Sequence, residues 1–303
     1  MSAVFSLTML AETLRISAPY VCAAMGGIWA ERSGIVQIGL EGVLLTSAFT
    51  GVAVAHATNS AVAGMLAGVL AGALLSLGHA LLVERAKVHA MVSGIALNLL
   101  AFAATRLALR ALYDSASNSP GIEGFRFGPV GADGASLLAR VLLDPVSLAA
   151  IAITVATPWF LYKTRFGLRV RAAGENPEAV ASVGLSVTRI RCLALLVSGA
   201  ACGLGGVHLA FDQHRFESGM SNGRGFIALA AVVVSGWRAG YAALACLAFG
   251  ALEALQIVLQ DTLRSSRGGD LVQLLPYVAT LIVLGFAAGR GAAPKGLGKS
   301  VGD

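Results

Sequence analysis

The chain has 303 residues, of which 56% are hydrophobic and 13% charged, with a mean hydropathy of +0.77. Soluble domains carry about 25% charged residues, so this composition excludes an ordinary water-soluble protein and makes a lipid bilayer the chain's solvent. The net charge of +6 does not point to nucleic acid: the basic residues cluster between apolar runs, with no interleaved aromatics for base stacking.

Residues 42–83, 88–105, 145–162, 192–211, 239–252 and 271–289 contain no Asp, Glu, Lys or Arg. A spanning helix needs about 17–25 apolar residues, and several of these windows reach or approach that length. The pattern predicts an all-α fold, a polytopic transmembrane helical bundle over residues 1–303 as a single domain. About eight or nine spans are expected, some of them broken or half-length.

In chain order, the first apolar segment covers residues 5–29 and is interrupted by Glu12 and Arg15. That pair is expected at the membrane interface, ahead of a span beginning near Pro19. The N-terminus lacks the basic stretch of a cleaved signal peptide, so insertion is expected to use the spans themselves. A polar break at residues 30–34 follows, and then Gly39 and Gly42 flank a lone carboxylate, Glu41. An ionisable group at membrane depth costs a few kcal/mol on insertion scales, so Glu41 requires a partner or a watery cavity. Broken helices are tolerated where they line such cavities. Gly64, Gly68 and Gly72 share one helix face and should admit a close neighbour. The short basic loop 84–89 reads as cytoplasmic. Asn98, on the next span, faces either a pathway or another helix.

Residues 113–145 are polar with few basic groups and read as a long external loop. A span at 146–162 leads into residues 163–191, which hold Lys163, Arg165, Arg169, Arg171, Arg189 and Arg191. The middle of this island, Gly174-Glu175-Asn176-Pro177-Glu178-Ala179, has a polar helical pattern closed by Gly184. So polar an island must sit in water, and its Lys/Arg excess places it in the cytoplasm. We read it as a docking loop for a cytoplasmic partner. The span 192–211 follows, with Gly199 and Gly203 four apart and His208 in a structural role. Residues 226–236 are too short for an ordinary span and read as a half-helix. The span 241–260 carries Glu253, and the span 270–288 is kinked at Pro276. If 226–236 crosses, the N-terminus is external and the basic tail internal.

The four cysteines lie in or beside apolar segments without ligand spacing and read as core residues. No nucleotide-binding loop, nucleophile elbow or zinc-type cluster occurs. An enzyme is therefore unsupported, and no cofactor or metal is expected in this chain. Of the remaining classes, a channel has no use for a large basic docking surface; a transport subunit moved by an external engine does.

Three stretches carry a family resemblance. Glu31-Arg32-Ser33-Gly34 with Gly39-Leu40-Glu41-Gly42 resembles the N-terminal signature of ABC-type permeases that import nucleosides. Gly174 to Ala179 with Gly184 resembles their cytoplasmic coupling motif, and Gly223-Arg224-Gly225-Phe226-Ile227-Ala228-Leu229-Ala230 a later block. The match runs over residues 10–290 in the same order. Ribose-type permeases read Asp-Leu-Ser-x-Gly in style where this chain reads Gly-Leu-Glu-Gly, which favours the nucleoside branch.

The resemblance implies a permease subunit of the sugar, nucleoside and branched-chain amino-acid importers, moving nucleosides across a bacterial inner membrane. It implies as partners a second permease (a homologue or the same chain), a cytoplasmic ABC ATPase that binds the ATP and Mg, and a substrate-binding lipoprotein or periplasmic protein. Coupling is expected from Gly174, Glu175, Asn176, Pro177, Glu178, Ala179, Gly184, Arg169 and Arg171, with Glu175, Arg169, Arg171, Arg189 and Arg191 forming ion pairs across the docking surface. Gln37, Glu41, Asn98 and Phe102 are the expected pathway residues. Two alternatives stand beside this: the same architecture moving a sugar, purine base or other small solute, and a secondary transporter in which Glu41 or Glu253 titrates.

Overall fold

The computed structural model describes residues 7–125, 143–262, 278 and 293–298. Ten helices occur there: α1 Leu7–Arg32, α2 Leu40–Thr58, α3 Ala61–Glu84, α4 Ala90–Tyr113, α5 Pro145–Lys163, α6 Arg165–Glu175, α7 Pro177–Ser182, α8 Val187–Asp212, α9 Arg224–Val234 and α10 Ala239–Thr262. Local chemistry sets most starts: Ser60, Asp144, Thr164, Asn176 and Ser186 each accept a hydrogen bond from the backbone three residues on, satisfying an otherwise orphaned helix N–H. Among the described residues the one β-type contact is an isolated bridge, Asn118 to Glu217.

Six helices are long and apolar enough to cross a membrane: α2, α3, α4, α5, α8 and residues 239–260 of α10. The 26-residue α1 and the 11-residue α9 add two more apolar segments. The last expected span, 270–288, falls almost wholly outside the described residues. So does most of the expected external loop, whose described part, 114–125, is irregular.

The bundle is built around α1. Every residue from Ser17 to Glu31 is buried, because α8, α10, α9 and α5 pack on it from all sides; a helix buried all round needs no polar face. The helix starts ahead of the Glu12 and Arg15 pair and continues unbroken through Pro19. Proline removes the N–H that would have bonded the Arg15 carbonyl, and His208 on α8 donates to that carbonyl from Nε2 at 3.1 Å instead. Glu12 pairs with Arg15 at 3.0 Å, and Arg15 also reaches Asp212 at 3.5 Å.

The α2, α3 and α8 helices form the second packing layer. A Cβ at Gly64 would lie 2.5 Å from the Gly51 carbonyl, and one at Gly72 would lie 2.6 Å from the Gly199 carbonyl. The glycine stripe is therefore a seam, as its spacing predicts, and α3 turns Leu66, Leu70 and Leu74 outward.

Two ends follow from these contacts. At one, the end of α1, the α3–α4 loop, residues 163–191, the α9–α10 turn and residues 293–298 meet. At the other, Tyr113 stacks edge-on against His56, and residues 118–122 pair with 214–217.

Candidate functional site: a split-helix cavity and a basic docking end

The α9 helix spans only half the bundle. Its 11 residues cover about 16 Å at 1.5 Å per residue. Its far end meets the foot of α1, where Arg32 Nε donates to the Trp237 carbonyl at 3.0 Å. Its first residue, Arg224, lies over the ring of Tyr20, 5.9 Å from its centroid and more than two turns up α1. The N-terminus of α9 thus sits at mid-height, and so does that of α2, because Glu41 joins the two.

Glu41 Oε1 accepts from the Gly223 N–H and Oε2 from the Gly225 N–H, each at 2.7 Å. One carboxylate caps α9 while standing in the first turn of α2, so it offsets the positive ends of two helix dipoles at once. This is the partner that a lone intramembrane carboxylate requires. The approach depends on glycine: Gly223 has φ +81°, and a Cβ at Gly225 would lie 2.5 Å from the Glu41 nitrogen. The flank is fixed by a second carboxylate. Arg224 Nη2 contacts Glu253 Oε1 at 2.7 Å, and the Tyr20 hydroxyl donates to Glu253 Oε2 at 2.6 Å.

Above this junction opens a cavity of about 210 Å³ lined by Glu41, Gly42, Leu45, Asn98, Phe102, Gly219, Ser221 and Asn222. Asn98 bonds a neighbouring helix and lines this cavity as well. Its Oδ1 accepts from the Gly42 N–H at 2.8 Å and its Nδ2 donates to the Ile38 carbonyl at 3.0 Å, tying α4 to the start of α2 while it walls the cavity. Phe102 is 45% exposed on the same wall. Gln37 is elsewhere. It is fully buried, with Nε2 donating to Ser76 Oγ at 3.2 Å and its backbone N–H 3.5 Å from Glu31 Oε1. The structure therefore brings Glu41, Asn98 and Phe102 together and leaves Gln37 in a polar joint below them.

At the basic end the island folds as two helices rather than one. Asn176 separates α6 from α7 at φ −149°, because the residue before proline is steered out of the helical region. Pro177 then opens α7, and Gly184, at φ +79°, follows its close. Gly174 lies directly on the foot of α1: a Cβ there would overlap the Arg32 carbonyl and come within 3.2 Å of the Gly34 nitrogen. Glu175 pairs with Arg32 at 3.8 Å. Glu175 also accepts from the Lys295 N–H at 3.3 Å, beside Gly296 N–H donating to the Gly174 carbonyl at 2.8 Å. Glu178, Ala179, Arg169 and Arg189 are exposed.

Among the described residues Glu175 makes no ion pair with Arg169, Arg171, Arg189 or Arg191. Arg171 donates to the Leu161 carbonyl and lies over Tyr162. Arg191 turns inward to Glu84 at 2.6 Å, with both side chains almost wholly buried, and its Nε donates to the Ser33 carbonyl at 3.0 Å.

Residues 9–284 match the family described as the permease component of branched-chain amino acid transport systems. The chain belongs to that family. It is 35% identical to the guanosine ABC transporter permease protein NupQ of Bacillus subtilis, over 94% of this chain and 93% of that protein. It is 32% identical to the nucleoside ABC transporter permease protein NupC of Lactococcus lactis, over 95% and 94%. It is also 29% identical to the putative glucose ABC transporter permease protein TsgC13 of Haloferax volcanii, over 94% and 93%.

Several residues that shape this permease's site escaped sequence reasoning. Ser221 and Asn222 join the cavity from a loop that reads only as polar, and the Arg224–Glu253–Tyr20 cluster joins the consecutive helices α9 and α10 to the distant α1. The buried Glu84–Arg191 pair had a usable signal: a helix-terminal acid and base at the edges of apolar runs. No His, Cys, Asp and Glu grouping among the described residues could hold a metal ion.

Proposed function

We propose that the chain is the permease subunit of an ATP-driven importer that carries nucleosides into the cytoplasm of a bacterium across its inner membrane. Arg85, Lys87, Lys163, Arg165, Arg169 and Arg238 gather at one end, and the positive-inside bias makes that end cytoplasmic. A separate ATPase docks there on residues 163–191, a second permease completes the pathway, and a binding protein delivers solute at the opposite end. Force applied to α6 reaches the foot of α1 through the Gly174–Arg32 backbone contact, with no side chain between them to absorb it. The α1 helix then works on α9 and the cavity above it.

The observation that carries the solute is the cavity lining. Two amides, a hydroxyl and an aromatic ring suit a neutral molecule with a flat ring and several hydroxyls. The one carboxylate, Glu41, has both oxygens already engaged. Glu253 likewise holds two donors. A sugar is the second reading, favoured by the likeness to a putative glucose permease. Competition settles the choice in cells carrying the full importer: labelled guanosine uptake should be suppressed by unlabelled nucleosides and insensitive to glucose. Suppression by glucose alone would overturn the nucleoside assignment, and uptake that survives loss of the ATPase would overturn the whole reading.

A further inference from the structure

Two clefts of different chemistry, a lower and an upper half of one stretch of surface, follow one another along α1, α5 and α10. The lower half is an open cleft of about 880 Å³ at the basic end, where Arg32, Arg171 and Arg238 converge with Tyr162 and Tyr241. The upper half, on the same three helices, is a cleft of about 190 Å³ walled by Ala18, Val21, Ile151, Val155, Ala243 and Leu247. Val155 lies seven residues before Tyr162 on α5 and Leu247 six after Tyr241 on α10, so the two halves follow one another within about 10 Å.

The lower half is short of negative charge. Arg32 is spent on the Trp237 carbonyl, the Tyr162 hydroxyl and Glu175. Among the described residues, however, both terminal nitrogens of Arg171 have no hydrogen-bond acceptor, and neither has any nitrogen of Arg238. Arg171 lies 5.0 Å from the Tyr162 ring and Arg238 4.6 Å from the Tyr241 ring. Tyrosines flanking guanidinium groups at the end of spanning helices are the side chains of a membrane interface. The exposed Tyr241 and Leu244 open the cleft sideways to the bilayer.

We propose that these two clefts bind an anionic phospholipid, its phosphate between Arg171 and Arg238 and an acyl chain in the apolar half. Charge complementarity selects this occupant over the others available. Residues 271–289 of the chain itself contain no Asp or Glu. A docked soluble protein reaches the lower half but not the upper, which lies along the spanning stretches. The assignment is independent of the transported solute.

The test is native mass spectrometry of the purified full-length chain, titrated with dioleoyl phosphatidylglycerol or dioleoyl phosphatidylcholine. Phosphatidylglycerol should be retained about fivefold more tightly, and Arg238→Ala should remove about that factor while Arg238→Lys keeps most of it. Val155→Trp, which fills the upper cleft, should weaken retention of both lipids. Should that variant misfold, the exposed Arg238 pair decides alone. Equal retention of the two lipids overturns the proposal. So does displacement of phosphatidylglycerol by millimolar inorganic phosphate, which would make this a small-anion site. So does an Arg238→Ala variant that keeps its lipid but sheds the ATPase from the assembled importer, which would make it a protein-docking surface.

Discussion

The junction at mid-height and the junction at the basic end both bring two backbones together at a glycine, but they differ in what holds the contact. At mid-height, α2 and α9 touch at Gly225 and are held there by a side chain, Glu41, which accepts from two backbone N–H groups. At the basic end, α6 meets α1 backbone to backbone through Gly174, braced by the buried Arg191–Glu84 pair. A hydrogen-bonded carboxylate is a joint that can open, whereas a steric contact over a buried ion pair transmits displacement.

The brace gives the largest expected effect. Arg191→Ala leaves Glu84 buried without its cation, and such half-broken pairs cost about 3–5 kcal/mol. The variant should show a markedly lowered melting temperature in detergent. Replacing both partners by apolar residues should recover most of the loss, since the penalty lies in the unpaired charge. A single variant as stable as the parent would show that the brace carries no load.

The mid-height joint comes next. Glu41→Ala removes two charge-assisted hydrogen bonds worth about 1.5–3 kcal/mol each and leaves the first N–H groups of α9 without their acceptor. Melting temperature and guanosine uptake should both fall. Glu41→Gln keeps one acceptor oxygen and should fall between Ala and the parent. If Gln matches Ala, the carboxylate acts through its charge on the two helix dipoles; if Gln matches the parent, one acceptor suffices.

Gly174→Val addresses the steric contact. Overpacking costs about 1–3 kcal/mol, but function should lose more than stability does. ATPase activity should persist in the assembled complex while its stimulation by solute disappears. Retained stimulation would mean that force enters the bundle elsewhere.

Legibility in the sequence followed the same division. The island at 163–191 and the glycine seam could be read directly, because polarity inside an apolar chain and a four-residue repeat are local signals. The half-helix at 226–236 was readable from length alone. That Glu41 needed a partner followed from the cost of its burial; that the partner was a pair of backbone N–H groups 182 and 184 residues away could not. That Gln37 turns away from the cavity could not be read, because non-helical residues 35–39 have no period from which to tell which way a side chain points. Arg191 was expected at the docking surface because charge predicts water, yet a second buried charge, Glu84, draws it inward. The single polar helix expected through Gly174 to Ala179 became two, though Pro177 carried the warning.

Glu175→Ala should have the smallest effect on stability and is the sharpest discriminator for that reason. Its pair with Arg32 is long, at 3.8 Å, and Glu175 is half-exposed, so its worth is that of a surface pair, about 0–1 kcal/mol. Arg32 also keeps its bond to the Trp237 carbonyl. Melting temperature should therefore barely move. Yet Glu175 stands where α6, the foot of α1 and residue 295 meet, on the face proposed to carry the ATPase. Solute-stimulated ATP hydrolysis should drop several-fold while basal hydrolysis and the amount of assembled complex stay the same. A variant normal in all three would show that at the basic end the backbone contact at Gly174 suffices, and that the carboxylate only decorates it.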